Sequence, residues 1–228
     1  MTAARLTRIL AELEKLHGRV KASKPASPWL LILRRNCGYP ASDKACAKGF
    51  AALRKEVGTT ATAIAKAPQA KLARAARAGG MMPELRADRL RDIAALTLRD
   101  YGGDLRALLS RPLAEARKLL KQFPTIGDPG ADMILLFTHT APIAALPSNA
   151  LQVPLRLGLG TESKAYSTSY RSAQAALAAA LPETFDARIR AYTLLKEHGQ
   201  EIFKPARPLC ERCPVTASCA YYQTLSHA

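Results

Sequence analysis

Residues 123–132 read FPTIGDPGAD. Before them, LAEARKLLKQ carries apolar residues at helical spacing, and after them ADMILLFT resumes an apolar run. Pro124 ends the first helix. Residues 125–130 then make a tight turn, and a second helix starts at about Gly130, carrying Met133, Ile134 and Leu136 inward. Gly127 can take a positive φ, and its missing Cβ lets another backbone approach. The amides after the turn lie at a helix N-terminus, whose partial positive charge favours an anion. A helix–hairpin–helix of this kind holds a backbone phosphate of a nucleic acid without reading its sequence. An ordinary corner between two helices has the same local pattern, so the turn alone does not decide between them.

Charge favours the phosphate. The 228 residues include 34 Lys plus Arg against 18 Asp plus Glu, a formal net charge of +16. The basic residues recur along the whole chain, as a polyanionic partner requires, and nucleic acid is the commonest such partner. A hydrophobic content of 48% suffices to bury a core in one large domain or two small ones. No apolar run reaches the roughly 18 residues of a membrane span. The first 20 residues, MTAARLTRILAELEKLHGRV, contain acids and read as an amphipathic helix, not a signal peptide. A cytoplasmic, nucleoid-associated protein without membrane contact is therefore expected. Its five cysteines are then not expected to form disulfides.

Helical periodicity dominates the remainder. Leu6, Ile9, Leu10, Leu13 and Leu16 form one apolar stripe. Residues 21–28 read as a linker, 29–35 as a short buried helix and 37–43 as a loop, with Ser42 and Asp43 placed to cap the next helix. Further helices are predicted over 60–66, 68–77, 84–99, 103–109 and 113–121, and later over about 167–180 and 184–197. Between them lies the proline-punctuated APIAALPSNALQVPLRLGL. No alternating β-branched run stands out, so the predicted class is all-α.

Three blocks now stand in order: FPTIGDPGADMILLF, PIAALPSNALQVPLRLG and HGQEIFKPARPLCERCPVTASC. Together, at this spacing, they resemble the endonuclease III-like branch of the helix–hairpin–helix (HhH-GPD) DNA glycosylases. GGMMPELRADRLRDIA resembles the helix start that precedes the family's hairpin. The resemblance covers roughly residues 29–222. It implies two helical lobes: a six-helix bundle over 30–141 that ends in the hairpin, and a second lobe of 1–29 with 142–228 that carries a cysteine loop. It also implies double-stranded DNA held between the lobes, and base excision, in which a damaged base is flipped out of the duplex; a monomer is the default expectation.

The family's reactive groups are replaced here. Its hairpin lysine, which attacks the sugar in bifunctional members, corresponds to Pro129, and its downstream aspartate to Pro147. Asp128, Asp132 and Asn149 are the weak candidates for relocated catalysis. Asp128 reads more simply as a helix cap, and His139 as a packed residue. For DNA binding the resemblance implies Thr125, Ile126, Gly127 and Gly130 in the hairpin, and Ser148 and Asn149 after the missing aspartate. Arg34, Arg35 and Asn36 stand near the turn that fills the gap left by a flipped base, and Lys204, Arg207 and Arg212 in the cysteine loop.

The family's loop is Cys-x6-Cys-x2-Cys-x5-Cys, whose four thiolates hold a [4Fe–4S] cluster. Cys210, Cys213 and Cys219 match the last three positions, and Phe203 takes the first. An iron–sulfur cluster on three cysteines, a zinc site completed by His198 or His227, and a loop without metal all remain open at this point. Cys37 and Cys46 read as buried small hydrophobes. The reading is a DNA-binding protein of the base-excision-repair superfamily with its reactive residues lost. Its alternatives are an active glycosylase with relocated groups, and a basic structural nucleic-acid-binding protein.

Overall fold

The computed structural model describes residues 2–39, 41–203 and 208–225, without the side chain of Asn149. Lys204, Arg207 and His227, named above, lie outside the described residues. Every regular element among the described residues is helical. The chain divides into two compact units, Pro25–Ile134, and Met1–Lys24 with Leu135–Ala228.

The unit Pro25–Ile134 opens with α2 (Pro28–Asn36), followed by α3 (Asp43–Glu56), α4 (Ala61–Lys66), α5 (Gln69–Arg77) and α6 (Pro83–Tyr101). It closes with α7 (Arg106–Leu109), α8 (Leu113–Leu120) and the first part of α9 (Asp128–Phe137). Hydroxyl caps start three of these helices: Ser27 accepts from the Leu30 amide, Ser42 from Ala45 and Thr60 from Ala63. Such a cap contributes about 1 kcal/mol. Ile32, Leu33, Leu53, Ile64, Leu72, Leu90 and Ile93 are fully buried and form the centre of this unit. Around them α6 packs on α4 and α5, and α3 on α5.

One close approach fixes the end of α2 against the start of α6. A Cβ on Gly79 would stand 1.7 Å from the Cys37 carbonyl oxygen. The position therefore admits no side chain. The buried Arg86 locks the same contact, donating through Nη1 to the carbonyls of Gly79 at 2.6 Å and Cys37 at 3.2 Å. The end of α2, which carries Arg34, Arg35 and Asn36, and the loop after it are thus held by a charged hydrogen-bonding group inside the core.

The other unit contains α1 (Ala3–His17), the end of α9, a 3-10 turn Ser148–Ala150, α10 (Gln152–Arg156), α11 (Tyr166–Ala180) and α12 (Phe185–Glu201). Short turns Cys210–Arg212 and Thr216–Ser218 lead to α13 (Ala220–Leu225). Leu6, Ile9, Leu10 and Leu13 of α1 are buried as the stripe requires, whereas Leu16 is 43% exposed near the helix end. They join Leu146, Val153, Leu157, Tyr170, Leu177 and Leu194 in one core. The helix α10 lies inside the proline-punctuated segment. Pro154 stands in its first turn, where a proline removes no helical hydrogen bond.

Candidate nucleic-acid interface

The hairpin forms where the sequence places it. The α8 backbone closes with donations from Gln122 to Leu119 and from Phe123 to Leu120, and Ile126 then donates to Phe123 at 3.1 Å. Ala131 donates to Gly127 at 2.9 Å, which opens α9. The strained residue is Thr125, at φ 66, and not Gly127. A threonine in the left-handed region persists only where its surroundings determine it. Those surroundings come from α2. Asn36 donates from Nδ2 to the Pro124 carbonyl at 3.2 Å and accepts at Oδ1 from the Thr125 hydroxyl at 3.3 Å. Arg35 donates from Nε to the Thr125 carbonyl at 3.2 Å. Its guanidinium also lies over the Tyr39 ring, 3.8 Å from the centre.

Arg35 and Asn36 therefore brace the turn that was expected to bind phosphate. Asn36 is buried, and of the three only Arg34 is exposed. Gly127 is exposed at the tip, while Ile126 and Gly130 are buried beneath it. Pro129 has no N–H, so the first turn of α9 presents the amides of Gly127, Asp128 and Gly130 as its donors. Lys118 and Lys121 are exposed on the α8 side of the turn.

The two carboxylates differ in environment. Asp128 pairs with Lys121 Nζ at 2.7 Å, with both side chains 43% exposed. Its negative charge complements the N-terminal end of α9. Asp132 is fully buried and pairs through Oδ2 with Arg117 Nη2 at 2.6 Å. The exposed acid is thus neutralised by a lysine, and the other is built into the core.

In the other unit, Pro147 is buried and accepts from the Ala150 amide at 3.0 Å. Ala150 presses on α12 at Gly199, where a Cβ would come within 2.5 Å of the Ala150 Cβ. This contact seats residues 147–150, with Ser148 half-buried. His139, at φ 56, stacks on Phe185 with ring centres 4.5 Å apart.

The cysteine loop lies in the same unit. Phe203, at the position of the family's first cysteine, is 7% exposed. Arg156 places its guanidinium over the rings of Phe203 and Tyr221, at 4.8 Å and 4.2 Å from their centres. The Cys219 thiol donates to the Arg156 carbonyl at 3.5 Å, and Cys213 Sγ lies 3.5 Å from His198 Nε2. Burial raises the pKa of both the Cys210 and Cys213 thiols, and neighbouring cysteines add to it. Among the described residues no group of three or more His, Cys, Asp or Glu is placed to hold a metal ion. The side chains do not fit a four-thiolate cluster: a phenyl ring replaces one ligand and protein groups engage two of the remaining sulfurs. Arg212 is exposed on this loop.

No protein-family model matches the chain. Endonuclease III of Thermotoga maritima is 28% identical over 168 residues, which cover 74% of this chain and 71% of that protein. The solved structure of a non-covalent endonuclease III–DNA complex superposes with a TM-score of 0.76 at 17% identity, over the full length of both chains. A thermostable thymine-DNA glycosylase superposes with a TM-score of 0.71 at 17% identity, covering 96% of this chain and 97% of that one. At these identities the structural likeness establishes the fold.

Proposed function

We propose that this chain, which has the fold of the helix–hairpin–helix DNA glycosylases, binds damaged or bent duplex DNA without excising a base. On this reading it acts as a monomer on nucleoid DNA in the cytoplasm. The observation that carries the reading is the hairpin. Thr125 is held at φ 66 by bonds from Asn36 and Arg35, and the turn exposes Gly127 at a helix N-terminus beside Lys118 and Lys121. A braced turn of that kind receives a phosphate without reorganising. The formal charge of +16 supports a polyanionic partner. The similar structures include endonuclease III bound to DNA, which favours DNA over other polyanions.

Base excision needs a group that stabilises or attacks the sugar. Proline at 129 and 147 supplies neither charge nor a side-chain hydrogen bond. Asp132 is enclosed with Arg117, and Asp128 is neutralised by Lys121, so neither supports a relocated chemistry.

A salt titration of duplex binding tests the reading. The observed affinity is expected to fall steeply and log-linearly with salt, through counterion release. Lys118→Gln is expected to lower the slope by about one. A flat salt response contradicts every DNA-binding reading, and equal affinity for structured RNA with no preference for lesions favours a basic structural nucleic-acid-binding protein.

A further inference from the structure

We infer that the C-terminal cysteine loop folds without a metal, held by a guanidinium–aromatic stack and a buried imidazole chain where the fold's relatives place a cluster. The stack consists of Phe203, Arg156 and Tyr221. Phe203 is buried at the end of α12, and Arg156 projects from the end of α10. Tyr221 lies in α13, just beyond the last cysteine. One planar cation on α10 therefore ties together the two ends of the segment that a cluster would otherwise join through its ligands. The Arg156 backbone continues the join, since its carbonyl accepts from the Cys219 thiol.

The imidazole chain approaches from the other side of the loop. His198 is fully buried. Its Nε2 lies 3.5 Å from Cys213 Sγ, and its Nδ1 lies 3.2 Å from His17 Nε2. His17 Nδ1 in turn reaches Glu201 at 3.4 Å. Four side chains from α1, α12 and the loop thus satisfy one another's polar atoms in line. Cys213 Sγ shares one proton with the imidazole nitrogen it faces, and the Cys219 thiol spends its own on the Arg156 carbonyl. A metal ligand would have to be a bare thiolate. Cys219 is itself part of the apolar core, 4% exposed. The loop ends are tied independently: Arg5 Nη2 donates to the Ser218 carbonyl at 2.7 Å, and the Leu209 amide to the Ile202 carbonyl at 2.9 Å. Phe203, Cys213 and Cys219, three of the four positions that a cluster would join, are thus each engaged by a protein group.

The test uses the full chain, produced in iron- and zinc-supplemented cells and purified without oxygen. Iron, acid-labile sulfide and zinc are measured against protein, and thermal midpoints are compared for two variants. A metal-free loop predicts no stoichiometric iron, sulfide or zinc. It predicts that Cys210→Ser leaves the midpoint unchanged, because Cys210 is partly exposed and outside both the stack and the imidazole chain. It predicts that Arg156→Lys, which keeps the charge and loses the planar stack, lowers the midpoint and speeds amide exchange over 209–222. Stoichiometric iron with sulfide, or stoichiometric zinc, overturns the inference. So does a midpoint that falls with Cys210→Ser and is indifferent to Arg156→Lys.

Discussion

The side-chain amide of Asn36 reaches 88 positions along the chain to donate to the carbonyl of Pro124, at 3.2 Å. It also donates to the Ile32 carbonyl at 3.0 Å within its own helix. One buried residue therefore ties the end of α2 to the hairpin. Removing it leaves the partly buried Pro124 carbonyl without this donor, which costs about 1–3 kcal/mol. Asn36→Ala is expected to lower stability by that amount in chemical denaturation and to weaken duplex binding along with it. Weaker binding at unchanged stability would instead place Asn36 on the DNA.

Asp128 carries its charge where the hairpin would receive a phosphate. Replacing it removes a favourable interaction with the α9 terminus, worth roughly 0.3–1 kcal/mol. It also removes a like charge facing the phosphate and frees Lys121. Asp128→Asn is expected to tighten duplex binding about two- to five-fold at low salt, for an energy of that same size. Fluorescence anisotropy on a labelled duplex reads this directly. A loss of binding would show that the Asp128–Lys121 pair shapes the site.

Asp132 and Arg117 form an ion pair in which the carboxylate is fully buried. Asp132→Ala leaves the Arg117 guanidinium, 35% exposed, without its partner and is expected to cost about 1–3 kcal/mol. The double variant Asp132→Leu with Arg117→Met is expected to recover most of the loss, since an apolar pair of similar volume needs no desolvation. Urea midpoints of the three proteins check this. If the double variant is no better than Asp132→Ala, the pair is more than a core contact.

Burial pushes the Cys37 thiol up to about 12, from an ordinary value of 9.0, and Cys46 beside it adds to the shift. The folded state therefore holds this proton more tightly than the unfolded state does. The resulting stability is complete below pH 9 and is lost as pH rises through the folded value. Thermal midpoints are expected to decline above pH 9, and Cys37→Ala to decline less over the same interval. In native protein at neutral pH, Cys37 is expected to resist alkylation while the partly exposed Cys210 reacts.

Local signals were legible. The Leu6–Leu13 stripe, the Ser42 cap and the proline and glycine breaks lead to helices that the structure contains, because each depends on neighbours within one or two turns. The hairpin was legible for the same reason. Its inner bracing was not. Gly127 can take a positive φ, but the residue that does so is Thr125, which Asn36 and Arg35 hold there from some 90 positions away. For the same cause, Arg35 and Asn36 read as residues facing DNA when their side chains face the turn. The cysteine spacing suggested a cluster loop, but nothing local to it announced that Arg156 would stack on Phe203 and Tyr221. The helix α10 escaped notice because its proline falls where prolines are tolerated.

The central claim is that this fold binds DNA without excising a base, and a single-turnover assay tests it most directly. Excess protein meets labelled duplexes carrying an abasic site, uracil, thymine glycol, 8-oxoguanine opposite adenine, or a G·T mismatch, with binding read in the same tubes. The account predicts tight, salt-sensitive binding and neither strand cleavage nor a new abasic site on any substrate. Product formed on any of them, and lost when Asp128 or Asp132 becomes alanine in a protein that remains folded, would contradict it and show that catalysis has moved to a new carboxylate.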